Sequence, residues 1–62
     1  MADYINRIEK ERDELMDKLD KLNVFMKSVK FATLSKESAD LLQKQRTIMC
    51  EYAEILRLRI DL

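Results

Sequence analysis

The chain has 62 residues, with 12 basic and 12 acidic side chains, one cysteine, and no histidine, glycine or proline. A single cysteine excludes a disulfide within the chain, and without histidine neither a structural metal nor another cofactor is expected. The balanced charge and the 47% of hydrophobic residues exclude disorder that is driven by net charge.

A chain of this length is expected to form one domain, residues 1–62, whose core alone contributes about 3–5 kcal/mol of net stability. Self-association is the remaining way to bury more surface. No apolar run approaches the roughly 18–20 residues that a membrane span needs, and the N-terminal segment lacks the apolar core of a signal peptide. With Cys50 as the single cysteine, these features predict a folded, soluble protein in a reducing, cytosolic setting, with no membrane partner.

The first helix is predicted over about residues 3–29, because apolar residues recur there at alternating steps of three and four. Only Arg12 interrupts the stripe, whose apolar members are Ile5, Ile8, Leu15, Leu19, Leu22, Met26 and Val29. The mean step of about 3.5 residues is typical of helices that wrap around one another. Asp3 is expected to cap the start of this helix.

The bend is predicted over about residues 30–34, where Phe31 and Leu34 are expected to close the end of the hairpin. The segment around it carries positive charge without an acid before Glu37, from Lys21, Lys27, Lys30 and Lys36. These lysines form either a solvated loop or a phosphate site. In a phosphate site, Thr33, Ser28 and the N-terminus of the second helix would add hydrogen-bond donors.

The second helix is predicted over about residues 35–60, with Ser35 as its N-cap and Glu37 in its first turn. One stripe on it comprises Leu42, Gln45, Met49, Tyr52, Leu56 and Arg59. A second stripe, offset by one position, comprises Leu41, Ile48, Ile55 and Leu62. A hairpin partner covers only one of the two faces, so the other must meet another copy or another protein.

The predicted fold is therefore all-α, an antiparallel two-helix hairpin that assembles into a compact homo-oligomeric helical bundle. Dimers or trimers of dimers, and thus a hexamer, are natural closed arrangements. The chain lacks the residues of a catalytic site, so no enzyme activity is expected. Cys50 is expected to pack at a helix interface. Tyr4 precedes the first stripe, and it is either exposed or available to stack on a planar ligand.

The chain resembles a family of small bacteriophage proteins in three segments: RIEKERDELMDKLDKLNVFM, FATLS and LLQKQRTIMCEYAEILRLRI. The family is that of the anti-CBASS cyclic-nucleotide sponges, which share a helical hairpin with the Thoeris anti-defence proteins. The resemblance covers nearly the whole chain. Its most characteristic residues are Lys21, Leu22, Phe25 and Met26 at the end of the first helix, the bend from Phe31 to Leu34, and LLQKQ followed by Met49, Tyr52, Ile55, Leu56 and Arg59.

The resemblance implies a non-enzymatic protein of the host cell cytoplasm that binds the cyclic di- or trinucleotides of bacterial immunity. In this family a tyrosine of one subunit stacks on a base and a lysine of a neighbour meets a phosphate. Tyr4 matches the stacking residue, and Lys21, followed by Lys18 and Lys30, matches the phosphate lysine.

Thr33 and Arg46 are candidates for a second, trinucleotide pocket. The bend lacks glycine, which argues against a pocket that needs close backbone approach. No contribution from a C-terminal extension is expected, because the chain ends soon after Arg59.

Two other functions are open at this point. The chain can be a small coiled-coil module for protein–protein interaction and oligomerisation, in which the lysines are only solvated. It can also be a small nucleic-acid-binding regulator. Zero net charge with a local basic block suits a small anion better than duplex DNA, which favours an extended basic face.

Overall fold

The computed structural model describes residues 2–62 and contains three helices, α1 (Ala2–Met26), α2 (Val29–Ala32) and α3 (Lys36–Asp61). The two long helices pack side by side in antiparallel directions, and the one-turn helix α2 lies in the bend between them. The Cα atoms extend over 47 × 15 × 12 Å. The prediction of an all-α hairpin is confirmed, although Met1 of the predicted domain lies outside the described residues.

The ends of α1 differ from the predicted ones. The helix starts at Ala2, so Asp3 lies inside its first turn, and the prediction that Asp3 is the N-cap is wrong. The carboxylate of Asp3 still suits the positive end of the helix dipole. The helix ends at Met26, because Ser28 has an extended backbone and its hydroxyl accepts a hydrogen bond from the Phe31 N–H, which starts α2.

The start of α3 agrees with the prediction. Ser35 is extended, with φ −62° and ψ 156°, and its side-chain oxygen accepts a hydrogen bond of 3.2 Å from the Ser38 N–H. Glu37 follows in the first turn, where a carboxylate is favourable. Neither α1 nor α3, as described, contains an apolar stretch long enough to cross a membrane.

The bend is held by an aromatic contact and by local hydrogen bonds. Phe31 in α2 meets Phe25 in α1 edge to face, with ring centroids 6.2 Å apart and ring planes at 86°. This geometry is a favourable one for aromatic pairs. The Thr33 hydroxyl donates a hydrogen bond of 2.7 Å to the Lys30 carbonyl at the end of α2. The chain therefore reverses direction without a positive φ, and glycine is not needed.

The core between α1 and α3 is small. Three hydrophobic side chains among the described residues are buried, namely Ile8, Leu19 and Leu56. The second stripe of α3, Leu41, Ile48, Ile55 and Leu62, is exposed along its whole length, and we call it the heptad face because its members are seven residues apart. The hairpin therefore leaves one apolar face of α3 without a partner among residues 2–62.

Replacement of Leu56 by alanine tests how much the small core contributes. Leu56 is fully buried, with 0% of its surface exposed, whereas Leu58 on the same helix is 51% exposed. We expect Leu56→Ala to lower the free energy of unfolding by about 2–5 kcal/mol, because a cavity is left in the core. Leu58→Ala is the matched control and is expected to cost much less. Urea denaturation followed by circular dichroism, at one fixed protein concentration, measures both. Equal losses would contradict the core described above.

Candidate functional site

A first group of polar side chains lies at the open end of the hairpin, where α1 begins and α3 ends. Arg59 of α3 donates a hydrogen bond of 3.3 Å from Nη2 to the Tyr4 hydroxyl of α1. The Cζ atom of Arg59 lies 5.9 Å from the centroid of the Tyr4 ring, at the outer limit of a cation–π contact. The two long helices are thus linked at this end through an aromatic ring and a guanidinium group.

Around this pair is a shallow cavity, which we call the open-end site. It has a volume of about 310 Å³ and is lined by Tyr4, Arg7, Ile8, Glu11 and Arg59. The hydrogen bond with Tyr4 raises the pKa of Arg59, and Glu11 adds a smaller attraction in the same direction. Like any arginine, Arg59 is charged throughout the physiological pH range. An aromatic ring beside two arginines is suited to a planar, anionic ligand.

A second group, which we call the bend-end cluster, lies in the half of the hairpin that contains the bend. It consists of Lys18, Lys21, Lys30, Thr33 and Arg46. Arg46 of α3 donates a hydrogen bond from Nε to the Asn23 side-chain oxygen of α1. This contact joins the two long helices and gives the Arg46 side chain a defined position.

Lys21 has an acidic partner that was not predicted from the sequence. Its Nζ lies 3.2 Å from a carboxylate oxygen of Asp17, one helical turn earlier. The expectation of a positive block without compensation is therefore wrong at this position. Both side chains are largely exposed, and such a pair contributes only about 0–1 kcal/mol. The ion pair therefore holds the Lys21 ammonium only weakly.

The other members of the bend-end cluster differ in how available they are. Lys18 and Lys30 are exposed. The Thr33 hydroxyl uses its proton in the hydrogen bond to the Lys30 carbonyl, so only its oxygen lone pairs face solvent. The structure thus assigns Thr33 a local role at the end of α2, and its hydroxyl does not present a proton to a phosphate in this conformation.

The two groups are far apart within one chain. Tyr4 and Lys21 both lie on the continuous helix α1, separated by 17 positions. At about 1.5 Å per residue this corresponds to about 26 Å along the helix axis, and Lys18 is about 21 Å from Tyr4. One hairpin does not bring the predicted stacking residue and the predicted phosphate lysines together. A pocket that uses both requires at least two copies of the chain.

A second concave feature of the hairpin is an apolar groove between the long helices, with a volume of about 370 Å³. Met16, Leu19, Cys50 and Ala53 line it together with Arg12, Glu54 and Arg57. Arg12 pairs with Asp13, and Arg57 pairs with Glu54 and Asp61. The Arg57 hydrogen bond lowers the pKa of Glu54. Both guanidinium groups are thus occupied by carboxylates. Cys50 is exposed in this groove, so its predicted packing is absent from the single hairpin.

Five polar residues that line the open-end site or contact the bend-end cluster were not predicted as site residues: Arg7, Glu11, Asp17, Asn23 and Arg59. Arg59 was recognised as a polar residue on an apolar stripe and as part of the family resemblance, but not as a partner of Tyr4. The antiparallel pairing of two helices around a bend near residue 33 places the start of α1 opposite the end of α3. This antiparallel pairing brings Tyr4 to Arg59, which lies 55 positions later in the sequence, and the contact could have been predicted from it.

Comparison with known proteins gives two matches. A protein-family model described as Sequestin matches residues 2–62. A protein of Enterobacteria phage T4, described as "Uncharacterized 7.5 kDa protein in denB-rIIB intergenic region", is 42% identical over 60 residues, which cover 97% of this chain and 94% of that protein. No solved structure matches the chain.

The contact between Asn23 and Arg46 can be tested by stability. We expect Asn23→Ala to lower the free energy of unfolding by about 0.5–1 kcal/mol, because a hydrogen bond between the two long helices is lost. Gln43→Ala, which shortens an exposed amide side chain on α3, is the control and is expected to change stability by less. Urea denaturation at a fixed protein concentration measures both. An unchanged stability in Asn23→Ala would show that the contact does not hold the helices.

Proposed function

The chain belongs to the Sequestin family, and we propose that it is a non-enzymatic phage anti-defence protein that sequesters cyclic di- or trinucleotides of the CBASS immune system in the host cytoplasm. Sequestin is an anti-CBASS sponge family, so the resemblance seen in the sequence is confirmed. The family match over residues 2–62 is the observation on which this proposal rests.

The chemistry of the two polar groups supports this ligand class. A cyclic dinucleotide has two planar bases and two phosphodiester charges in a compact ring. Tyr4 provides an aromatic face, and each base stacked on such a face contributes about 1–3 kcal/mol. Lysines and arginines provide the phosphate contacts, which alone would give unspecific, salt-sensitive binding. Lys21 is the first candidate for the phosphate, with Lys18, Lys30 and Arg46 near the same end of the hairpin.

Self-association is the second part of the proposal, and it would complete the pocket. In an antiparallel pair of copies joined through the heptad face, the open end of one copy lies beside the bend of the other. This arrangement brings the open-end site of one subunit near the bend-end cluster of its neighbour. It also covers the heptad face, whose apolar side chains are exposed in the single hairpin.

An alternative function rests on the same exposed stripe. A hairpin with an uncovered heptad face can act as an oligomerisation or protein-interaction module, and its lysines would then be solvated only. This alternative predicts that the heptad face is essential while Tyr4 and Lys21 are dispensable. The sponge function predicts that Tyr4 and Lys21 are needed for ligand binding even when the assembly is intact.

Binding measurements on two variants test the sponge function. We expect Tyr4→Ala to weaken the binding of a cyclic dinucleotide by about tenfold or more, because base stacking is lost. Lys21→Ala is expected to weaken binding and to reduce its dependence on salt, because one phosphate contact is lost. Isothermal titration calorimetry at near-physiological salt measures both effects, with a linear dinucleotide and duplex DNA as ligand controls.

The matched control is Lys44→Ala, which removes a lysine on the side of α3 that faces away from Arg46. The three variants must have the same oligomeric state as the parent chain. Normal binding by Tyr4→Ala and Lys21→Ala would mean that the pocket has been assigned to the wrong residues. Salt-sensitive binding of duplex DNA without any cyclic-nucleotide binding would instead favour a nucleic-acid-binding regulator.

Assembly through the heptad face is tested separately. Ile48→Glu places a carboxylate in the middle of this face, and its burial in an interface is unfavourable without a partner charge. We expect this variant to shift to a smaller species in size-exclusion chromatography with light scattering. Val24→Glu is the control, because Val24 is an exposed apolar residue of α1 outside the heptad face. Retention of the parent assembly by Ile48→Glu would exclude the heptad face as the interface.

A further inference from the structure

The contact between Tyr4 and Arg59 has a role beyond supplying an aromatic ring and a positive charge to a ligand. We propose that Arg59 is a positioning residue: from the end of α3 it holds the hydroxyl end of the Tyr4 ring, and so keeps a face of that ring ready to receive a base. This inference rests on the proposed function, because it concerns the same pocket. It also predicts that Arg59 restricts the motion of the Tyr4 ring in the ligand-free protein, and this is tested independently.

The guanidinium lies over the Tyr4 ring but is displaced from its centre toward the hydroxyl end. Nη2 of Arg59 is 3.3 Å from the Tyr4 hydroxyl, whereas Cζ is 5.9 Å from the ring centroid. A guanidinium stacked on the middle of the ring would compete with a base for the same surface. At the hydroxyl end it fixes the orientation of the ring and leaves aromatic surface exposed, in agreement with the half-exposed state of Tyr4.

The position of Tyr4 explains why such a contact is needed. Tyr4 lies in the first turn of α1, where helices tend to fray. Its ring is half exposed, so packing alone does not hold it. A side chain that becomes ordered only when the ligand binds loses conformational entropy, and this loss lowers the affinity. A side chain that is already ordered has no such cost. Arg59 supplies this order from the other long helix, so base stacking depends on the contact that joins α1 and α3 at the open end of the hairpin.

The open-end site contains a second arginine that permits a matched comparison. Arg7 lines the same cavity, and no hydrogen bond joins it to Tyr4 in the described part of the chain. Glu11 faces the cavity as well and attracts Arg59. Loss of either arginine removes one positive charge from the cavity, but only loss of Arg59 releases the tyrosine ring. A purely electrostatic role would make the two arginines equivalent.

Tyrosine fluorescence reports on the ring directly. The chain has two tyrosines and no tryptophan, so in a Tyr52→Phe background Tyr4 is the sole strong fluorophore. In this background and without ligand, we expect Arg59→Ala to lower the fluorescence anisotropy of Tyr4 and to increase its quenching by acrylamide. Arg7→Ala is expected to change neither. Circular dichroism and light scattering check that helix content and assembly are the same in all variants.

Binding of cyclic di-AMP completes the test. Arg59→Ala and Tyr4→Phe are each expected to weaken binding by about fivefold, in the range of a lost hydrogen bond or cation–π contact. Tyr4→Phe keeps the ring but removes the acceptor for Arg59. If Arg59 acts through the hydroxyl, the double variant is no weaker than either single variant, and the slope of affinity against salt is unchanged.

Two results would overturn the inference. One is an unchanged anisotropy and quenching of Tyr4 in Arg59→Ala. The other is a further loss of affinity in the double variant together with a smaller salt dependence, which would identify Arg59 as a direct phosphate ligand. If the Tyr52→Phe parent and the unmodified chain bind no cyclic nucleotide, the proposed function fails, while the fluorescence measurements still decide whether Arg59 positions the ring.

Discussion

The structure depends on one constraint, which is that a hairpin of two long helices is too thin to bury its own apolar side chains. A body of 47 × 15 × 12 Å has no interior beyond the single seam between α1 and α3. Ile8, Leu19 and Leu56 occupy that seam, and the heptad face of α3 remains in water. Such a small core leaves little net stability to a free hairpin. A second copy on the heptad face is the most direct way to cover this surface.

The same constraint determines what kind of pocket the protein can form. The open-end site and the bend-end cluster lie in opposite halves of the hairpin, about 20 Å or more apart along the helix axes, which is too far to contact one small ligand. The open-end site is also shallow, because two helices alone do not enclose a cavity. A pocket between copies would solve both problems, since it joins an aromatic ring from one chain to lysines from another and encloses the ligand. Assembly through the heptad face would therefore both stabilise the hairpin and complete the ligand pocket.

Periodicity in the sequence was sufficient to predict the hairpin and the uncovered face of α3. The Ser35 cap was predicted from its residue type. The prediction failed at the end of α1, where the hydrogen bonds of Ser28 end the helix early. It also failed at the start, where Asp3 lies inside a helix that begins one residue before it. At the candidate site, Tyr4, Lys21 and Arg46 were recognised by residue type and by resemblance. Their partners Arg59, Asp17 and Asn23 were missed, because two of these contacts are tertiary and the third is an ordinary pair one helical turn apart.

The central claim is that the protein holds a cyclic nucleotide without altering it, and recovery of the bound compound tests this most directly. The purified protein would be mixed with a smaller amount of cyclic di-AMP or cyclic tri-AMP and separated from free nucleotide by filtration. The protein would then be denatured, and the released compound identified by mass spectrometry. The account predicts that at least one of these compounds is retained with the protein and released intact. Failure to retain either compound, or its release in a linear or cleaved form, would contradict it.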